Sequence, residues 1–383
     1  MTSLDDFAAR KLAQLGSASL RRTLRTVDTG AGHRVRAGGL NFCSNDYLGL
    51  ANDPRLAEAA RAAAEEFGVG AGASRLVTGN HSLYDMLERK IAAVKDTEAA
   101  VVFGSGYLAN LGAIPALVGE GDLVLTDALS HACMMSGAKL SGAKVVTFRH
   151  NDVDDLRALL AAHRASARHC LVLTEGVFSM DGDLAPLPDI VAVARDHDAW
   201  TMTDDAHGLG VVGDGFGSAA HWGVAVDVQM GTLSKAVGSY GGYVAASQPV
   251  VDLLINRARS FVYATGLPPT VVAASIAGID IIAGDPALCA VPLARARLFA
   301  AQLNLAVPQS PIVPLIVGAS DAALAASRAL EESGFLVTAI RPPTVPDGTA
   351  RLRVTFTAAH SEDDVLRLVV AVRSVVPLNG LAR

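Results

Sequence analysis

Cysteine and charge are both scarce in this sequence, and each scarcity argues against a class of protein. The 4 cysteines among 383 residues form no Cys-x-x-Cys pair, so neither a zinc site nor a redox disulfide is indicated. Charged residues make up 18%, the formal net charge is −6 and no basic patch stands out, which argues against nucleic acid as the main partner. Hydrophobic residues reach 51%, as in globular rather than disordered chains.

Long apolar runs are also missing. The apolar stretch 270–283 is interrupted by Asp280 and falls short of the ~20 residues that a membrane-spanning helix needs. It is better explained as a buried helix of small residues. The first residues carry acids and lack the apolar core of a signal peptide, and the cysteines fit reduced thiols. We therefore expect a cytoplasmic protein with neither a membrane partner nor a metal.

From residue 99 onwards, short apolar strands alternate with helices. The predicted strands of this region are 99–103, 123–126, 144–148, 169–174 and 200–203, and the helices among them include 132–139, 153–163 and 188–196. This alternation indicates βα units and a mainly parallel sheet. A helical stretch over 1–26 precedes it, and a small α+β region with a strand at 335–340 follows it. The expected organisation is an N-terminal arm and helix (1–50), a large cofactor-binding domain (51–285) and a small C-terminal domain (286–383).

One lysine stands in an unusual setting. Lys235 follows Thr232 and Ser234 and precedes the glycine-rich stretch 238–242, between predicted strands at 226–230 and 243–246. A buried lysine is costly unless it is paired or neutralised, and a Schiff base with an aldehyde cofactor would neutralise it. The two hydroxyl groups could donate hydrogen bonds to a phosphate. The alternative is a lysine in a surface β-turn.

A pair of polar residues follows the predicted strand 200–203. A buried carboxylate such as Asp204 needs a cation, and a protonated pyridine nitrogen is one. His207, three residues on, could donate to the phenolic oxygen of the same ring. The alternative is an aspartate that caps a helix beside a neighbouring histidine.

Two further features fit a phosphorylated aromatic cofactor. The stretch 104–107 lies between a strand and a helix, where free N–H groups bind phosphate. His131 could stack on a flat ring, although a core histidine is the usual alternative. The stretch 208–213 matches Gly-x-Gly-x-x-Gly, but it runs into Asp214-Gly-Phe-Gly rather than into a helix, which argues against a dinucleotide site. A nucleotide-binding protein without catalysis is the alternative from another class.

Taken together and in this order, the motifs resemble the α-oxoamine synthases, which are pyridoxal-phosphate (PLP) enzymes of fold type I. The resemblance covers nearly the whole chain. The segments that carry it are the glycine loop, His131, residues 174–182, 204–208 and 231–235, and Arg351-Leu-Arg353. It implies an α/β fold with a mainly parallel central sheet and a smaller C-terminal α+β domain. It also implies a homodimer with active sites at the subunit interface.

The resemblance assigns catalytic roles to four residues. Lys235 holds the cofactor and acts as the base, Asp204 pairs with the ring nitrogen, His207 contacts the ring oxygen and His131 stacks on the ring. The residues expected around the cofactor are Ser105, Gly106, Tyr107, His131, Ser179, Asp204, His207, Thr232, Ser234, Lys235 and Thr265. Thr265 is expected to reach the phosphate of the partner subunit.

Within the family, the chain most resembles the member that condenses L-alanine with a pimeloyl thioester and releases CO2. The residues implied for substrates are Arg21, Asn45, His131, Arg341, Thr344 and Arg353. Asn45 and Arg353 are expected to hold the amino-acid carboxylate, for which a guanidinium fork is suited. Arg341 and Thr344, with Arg21, are candidates for the distal carboxylate of the pimeloyl chain. Sister activities that use other acyl groups stay open, as does the acyl carrier, coenzyme A or a carrier protein.

Overall fold

The computed structural model describes residues 3–17, 20–24, 26–28, 34–35 and 39–376. The α-helices are α1 Leu4–Ser17, α2 Pro54–Phe67, α3 Ser82–Lys95, α4 Gly106–Leu117, α5 Ala132–Ser141, α6 Val153–His163, α7 Leu187–Asp196, α8 Ser218–Trp222, α9 Gln248–Arg257, α10 Arg259–Val262, α11 Pro269–Gly284, α12 Pro286–Leu303, α13 Ser320–Glu332 and α14 Glu362–Val375. The strands are β1 Arg34–Val35, β2 Gly39–Asn41, β3 Ala99–Phe103, β4 Leu123–Asp127, β5 Lys144–Phe148, β6 Cys170–Glu175, β7 Trp200–Asp204, β8 Val228–Thr232, β9 Gly242–Ala246, β10 Ile312–Gly318, β11 Phe335–Leu336, β12 Thr338–Ile340 and β13 Ala350–Thr355.

The central sheet contains 7 strands in the order β3-β9-β8-β7-β6-β4-β5. Neighbours from β8 across to β5 are parallel, whereas β9 runs antiparallel to both β3 and β8. The prediction of a mainly parallel sheet is confirmed. The strand predicted at 226–230 lies two residues further along the chain, as β8 Val228–Thr232. Its pairing with β9 extends it to Thr232, which pairs with Gly242. The lysine segment therefore begins where this strand ends.

Helices cover both faces of the sheet, so its inner strands are buried on both sides. Alternate residues of β3 show the division between the two faces. Val101 and Phe103 pack with α4, α5 and α9, while Ala100 and Val102 pack with α2, α3 and α11. Successive strand residues point to opposite faces, which explains the two separate cores.

The C-terminal part of the chain forms an antiparallel sheet in the order β10-β13-β12, covered by helices. The single strand predicted at 335–340 is wrong, because the chain changes partner at the buried residue Val337. Its first part, β11, pairs with β2 of the N-terminal arm, and its second part, β12, pairs with β13. The arm is thus joined to the C-terminal sheet. The three domain boundaries stay a prediction.

The helix predicted over 1–26 is also shorter, and α1 ends at Ser17 after Gly16, both poor helix formers. Its apolar side chains are exposed, with Leu12 at 43% and Leu15 at 42%. Among the described residues, no single helix has the length and apolar character to cross a bilayer. Helices α11 and α12 meet such a criterion only as a pair bent by 81°.

Candidate active site

The predicted chemical residues meet at the carboxyl ends of the parallel strands. Glu175 ends β6 and Asp204 ends β7, and these two residues are register partners. Lys235 follows the end of β8, and His131 follows the turn after β4. Sites of open α/β sheets form at this edge, where the loops after neighbouring strands meet.

Lys235 lies beside a histidine rather than a carboxylate. Its Nζ is 2.7 Å from Nε2 of His207, and Nδ1 of the same ring is 2.7 Å from the hydroxyl of Tyr47. Burial lowers the pKa of Lys235 to about 8, although the negative charges of Asp204 and Glu175 act in the opposite direction. Burial, followed by the charge of Lys235, holds the pKa of His207 well below its usual range. A neutral His207 therefore accepts at Nε2 and donates from Nδ1 to Tyr47.

Two buried carboxylates face this lysine with few donors of their own. Asp204 accepts from Asn110 Nδ2 at 2.8 Å and from Ala206 N at 3.0 Å. Glu175 Oε2 accepts from Ser179 N at 3.1 Å, and Oε1 is buried without a hydrogen bond. Burial raises the pKa of both carboxyls, and the charge of Asp204 raises that of Glu175 further. The pair can receive a cation, which would lower both pKa values.

An anion cradle lies at the start of α4. Ser105 caps the helix, its Oγ accepting from Leu108 N at 3.2 Å, and the next N–H groups, of Gly106 and Tyr107, have no acceptor within the helix. The backbone of Gly242 approaches so closely that a Cβ there would overlap Gly106 N. A Cβ at Gly106 would lie 3.5 Å from Thr232. Such a helix start with free N–H groups binds phosphate.

The hydroxyls predicted to bind phosphate lie beside this cradle. Thr232 Oγ1 donates to Gly241 O at 2.8 Å, and Ser234 Oγ donates to the same oxygen at 3.2 Å. Both hydroxyls thus hold the turn that follows Lys235. Their oxygens can still accept or exchange partners, because a hydroxyl has one proton and two lone pairs.

His131 forms the N-cap of α5. Its Nδ1 accepts from Cys133 N at 3.2 Å and lies 2.8 Å from Cys133 Sγ. The ring is exposed in the cleft. Desolvation by the surrounding walls lowers its pKa, the charge of Asp204 raises it and the charge of Lys235 lowers it.

Arg353 joins the C-terminal sheet to this site. Its Nη1 donates to Asn45 Oδ1 at 3.0 Å and its Nε donates to Ser179 O. Its Nη2 is buried without a hydrogen bond. The structure thus brings Asn45, Ser179 and Arg353 together and leaves a guanidinium donor for a carboxylate.

A cavity of about 610 Å³ opens from the site, lined by residues 128–132, 178–181 and 343–346 and by Arg22. His131, Ser179 and Thr344 all line it. Arg22 and the predicted Arg21 are both exposed, but Arg22 lines the cavity and its Nη2 donates to Thr344 Oγ1 at 3.4 Å, whereas Arg21 is not part of the lining. Of the two neighbouring arginines, the structure therefore brings Arg22 to the predicted distal end.

Two other predicted residues lie apart from the cluster. Arg341 directly follows β12 and is partly exposed, outside the cavity lining. Thr265 is exposed and forms a bridge with Ser74 of the glycine loop. Within the described chain, Thr265 makes no hydrogen bond to the cradle of its own subunit.

Sequence reasoning left four residues of the site without a role. Glu175 is a candidate at a strand end and Tyr47 lies in a polar loop, but neither receives a function from the sequence. Asn110 was missed, although it interrupts the apolar sequence of α4, and that interruption is the signal that could have identified it. Cys133 carried no signal beyond its closeness to His131.

Comparison with known proteins decides the family. The family model "Aminotransferase class I and II" matches residues 37–372. This chain belongs to that family. Class I and II relatives named 8-amino-7-oxononanoate synthase include one from Methylobacterium nodulans, 57% identical over 96% of this chain and 96% of the relative. Another, from Maricaulis maris, is 56% identical over 98% of this chain and 97% of the relative.

Solved structures share the fold of this chain. A serine palmitoyltransferase from S. paucimobilis with bound PLP and myriocin superposes with a TM-score of 0.90 at 30% identity, covering 98% of this chain and 99% of that one. The expected fold type I is confirmed, as is the resemblance to the α-oxoamine synthases, the group to which both named activities belong.

Proposed function

We propose that this chain catalyses the reaction of the 8-amino-7-oxononanoate synthases with PLP as cofactor. L-Alanine condenses with a pimeloyl thioester, and the products are 8-amino-7-oxononanoate, CO2 and the free thiol carrier. The observation that carries the proposal is Lys235, half-buried beside the neutral His207 and facing two carboxylates that have few donors. Relatives that bear this name match over nearly the whole chain.

The residues present fit PLP. The start of α4 with Ser105, Gly106 and Tyr107 would hold the phosphate, with Thr232 and Ser234 beside it. Asp204, buried and short of donors, would hold a proton on the ring nitrogen. Lys235 would hold the aldehyde carbon covalently, and His207 and Ser179 would contact the ring oxygen. His131 would stack on the ring.

When bound, PLP withdraws electrons from the Cα of the amino acid. The residues of this chain then handle protons and position groups. Lys235, once the alanine amine has displaced it, takes the proton from Cα and later returns one; its lowered pKa of about 8 increases the fraction of neutral amine that can act as a base near neutral pH. The free Nη2 of Arg353 binds the alanine carboxylate, and Asn45 holds the guanidinium in place.

The acyl chain enters by the cavity that contains His131 and Thr344. Arg22 lies at the wall of this cavity, and Arg341 is close to Thr344 in sequence. These two arginines provide positive charge for the distal carboxylate of a pimeloyl chain. A serine palmitoyltransferase would place an uncharged tail there. The arginine at this wall therefore favours an acyl group that ends in a carboxylate over a lipid chain. Arg21 remains a second proposed receptor.

We also propose a homodimer in the cytoplasm with active sites at the subunit interface. Large apolar side chains are exposed around the glycine loop and the cradle, namely Val69, Leu76, Val77, Tyr107, Tyr240 and Tyr263. Exposed apolar patches of this kind mark interaction sites. Thr265 lies in the same region and would reach the phosphate of the partner. Among the described residues the four cysteines form no disulfide, as in reducing compartments.

The test is turnover with matched substrates. Purified protein with PLP is given L-alanine and pimeloyl-CoA, and thiol release and the mass of the product are measured. L-Serine with palmitoyl-CoA and glycine with acetyl-CoA are run in parallel, and Lys235→Ala serves as the inactive control. The expected result is alanine- and pimeloyl-dependent product. Faster turnover of either alternative pair would overturn the substrate assignment.

A further inference from the structure

A continuous series of hydrogen-bonded side chains runs beneath the cleft. It includes Asn110 and Cys133, two residues that take no part in the proposed reaction. Asn110 in α4 places Nδ2 2.8 Å from Asp204 Oδ2 and 3.0 Å from Cys133 Sγ. Cys133 Sγ lies 2.8 Å from His131 Nδ1. Asn110 is 0% exposed and Cys133 is 3% exposed. The series therefore links the carboxylate of one strand end to the histidine of another.

The chemistry of these groups determines where each proton lies. The Asn110 amide must direct its NH2 group to Asp204, because its oxygen would repel the carboxylate. Burial, followed by the charge of Asp204, raises the pKa of the Cys133 thiol to about 12, so Sγ keeps its proton. Since Sγ accepts from Asn110, its own proton is available to His131 Nδ1. The backbone N–H of Cys133 donates to the same Nδ1 at 3.2 Å.

Both donors converge on Nδ1, so this nitrogen carries no proton in the neutral ring. The proton of His131 is then on Nε2. Within the described residues Nε2 forms no hydrogen bond, which leaves it available as a donor to a bound molecule. Asn110 Oδ1 is buried without a partner, an arrangement that destabilises a fold. The amide is thus held for the two donors it directs to Asp204 and Cys133.

We propose that Cys133 and Asn110 are positioning residues that hold His131 in its Nε2–H tautomer and couple its orientation to the Asp204 carboxylate. The inference rests on the proposed function only in that His131 and Asp204 are taken to face the cofactor and substrates. The tautomer itself is a property of this chain. With Nε2 protonated, His131 can donate a hydrogen bond to a substrate oxygen.

The first test measures the tautomer directly. Protein labelled with 15N-histidine is studied by long-range 1H–15N correlation, with and without PLP, and His131→Gln assigns the signals. Wild type should show an unprotonated Nδ1 and a protonated Nε2. Cys133→Ala should give a mixture of tautomers, whereas Cys133→Ser, which keeps a donor, should stay like wild type. Cys170→Ala is the matched control, because it removes another buried thiol from β6, outside the hydrogen-bonded series.

The second test separates positioning from general stability. Cys133→Ala should lower kcat for the condensation about tenfold, the effect of one lost hydrogen bond, and leave KM for alanine within about twofold. Cys133→Ser should recover most of kcat, and Asn110→Ala should perturb the tautomer as Cys133→Ala does.

Three results would overturn the inference: a wild-type Nδ1 that is protonated, a Cys133→Ala spectrum identical to wild type, or equal losses in the Cys170→Ala control. If Cys133→Ala does not fold, the wild-type and Cys133→Ser spectra decide. The expected tautomer in a protein that does not turn over pimeloyl thioester would refute the proposed function and leave this inference standing.

Discussion

Lys95, which is buried, and Lys235, which is half-buried, lie near two adjacent aspartates, and the two pairs differ in how fully their charges are paired. Lys95 Nζ donates to Asp205 Oδ2 at 2.7 Å and to Phe216 O at 2.8 Å, and Asp205 also accepts from Ser218 N at 3.1 Å. Lys235 Nζ instead lies against His207, and within the described part of the chain Asp204 accepts only from neutral N–H groups, those of Asn110 and Ala206. We call the Lys95–Asp205 ion pair the closed pair, because its two charges are in contact. We call the group around Lys235 and Asp204 the open site, because those two charges are separated.

The difference teaches where chemistry is available. Glycines at 176, 208 and 217 surround the Asp205 carboxylate so closely that a Cβ at any of them would overlap it. The Lys95–Asp205 pair therefore has no room or capacity for a ligand, and we infer that it holds the turn after β7. The Lys235 site keeps a lysine of lowered pKa and a carboxyl of raised pKa, the perturbed values typical of reactive groups.

The largest contrast should come from deleting the reactive lysine. Lys235→Ala should lower turnover by more than ~10⁴-fold, because it removes a covalent attachment and a base whose action alone contributes ~10²–10⁴. Its melting temperature without cofactor should not fall below that of wild type, since a poorly paired, half-buried charge is removed. Steady-state assays and thermal unfolding measure both. Turnover within tenfold of wild type would refute the role.

The closed pair should respond in the opposite manner. Lys95→Met leaves the Asp205 charge buried without its partner, so the free energy of unfolding should fall by about 3–5 kcal/mol. Denaturant unfolding measures this loss. The double variant Lys95→Met with Asp205→Leu should recover part of it, because an apolar pair replaces an ion pair at little cost. A single variant as stable as wild type would contradict the assignment.

Substitutions at the two aspartates should likewise differ, with Asp204 affecting catalysis and Asp205 affecting stability. Asp204→Asn removes the charge expected at the ring nitrogen, so exchange of the Cα proton of alanine should slow about 10²–10³-fold, while alanine binding changes little. Deuterium exchange followed by NMR measures the rate. Asp205→Asn is the matched control and should affect unfolding more than exchange. Equal exchange rates in the two variants would remove the distinction.

The lysine of the open site should also make stability depend on pH. Its pKa of about 8 is below the ordinary 10.5, so between these values the unfolded chain binds more protons than the folded one. The stability of cofactor-free wild type relative to Lys235→Met should therefore rise with pH across this window, by about 3 kcal/mol in total. Urea unfolding at several pH values measures the difference. A difference that stays flat or falls would contradict the lowered pKa.

The smallest effect concerns the rim of the open site. Arg341→Ala should raise KM for pimeloyl thioester about ten- to hundredfold, the effect of a lost hydrogen bond to a charged group, with alanine binding intact. Arg22→Ala tests the neighbour that contacts Thr344, and Arg21→Ala tests the second proposed receptor. An uncharged acyl thioester of equal length should lose much less. Equal losses for both thioesters would show that the arginines do not read the carboxylate.

Much of the site could be predicted because it follows local rules. Lys235, Asp204 and the turn at 104–107 each come directly after an apolar strand, and parallel strands place such residues at one edge. Asn110 and Tyr47 could not be assigned, because their roles depend on a carboxylate and an imidazole distant in sequence. Arg21 and Arg22 are adjacent residues of the same type, so the sequence cannot distinguish them. Only the path of the folded chain brings Arg22 to Thr344.

The sequence by itself determined the βα alternation, the glycine-rich turns and the residue types at the strand ends, because these depend on local periodicity and backbone geometry. Only the tertiary structure decided which of two adjacent aspartates meets a lysine. Asp204 and Asp205 have the same chemistry and similar burial. Successive side chains at the end of a strand point to opposite faces of the sheet, so Asp204 reaches Asn110 of α4 and Asp205 reaches Lys95 of α3.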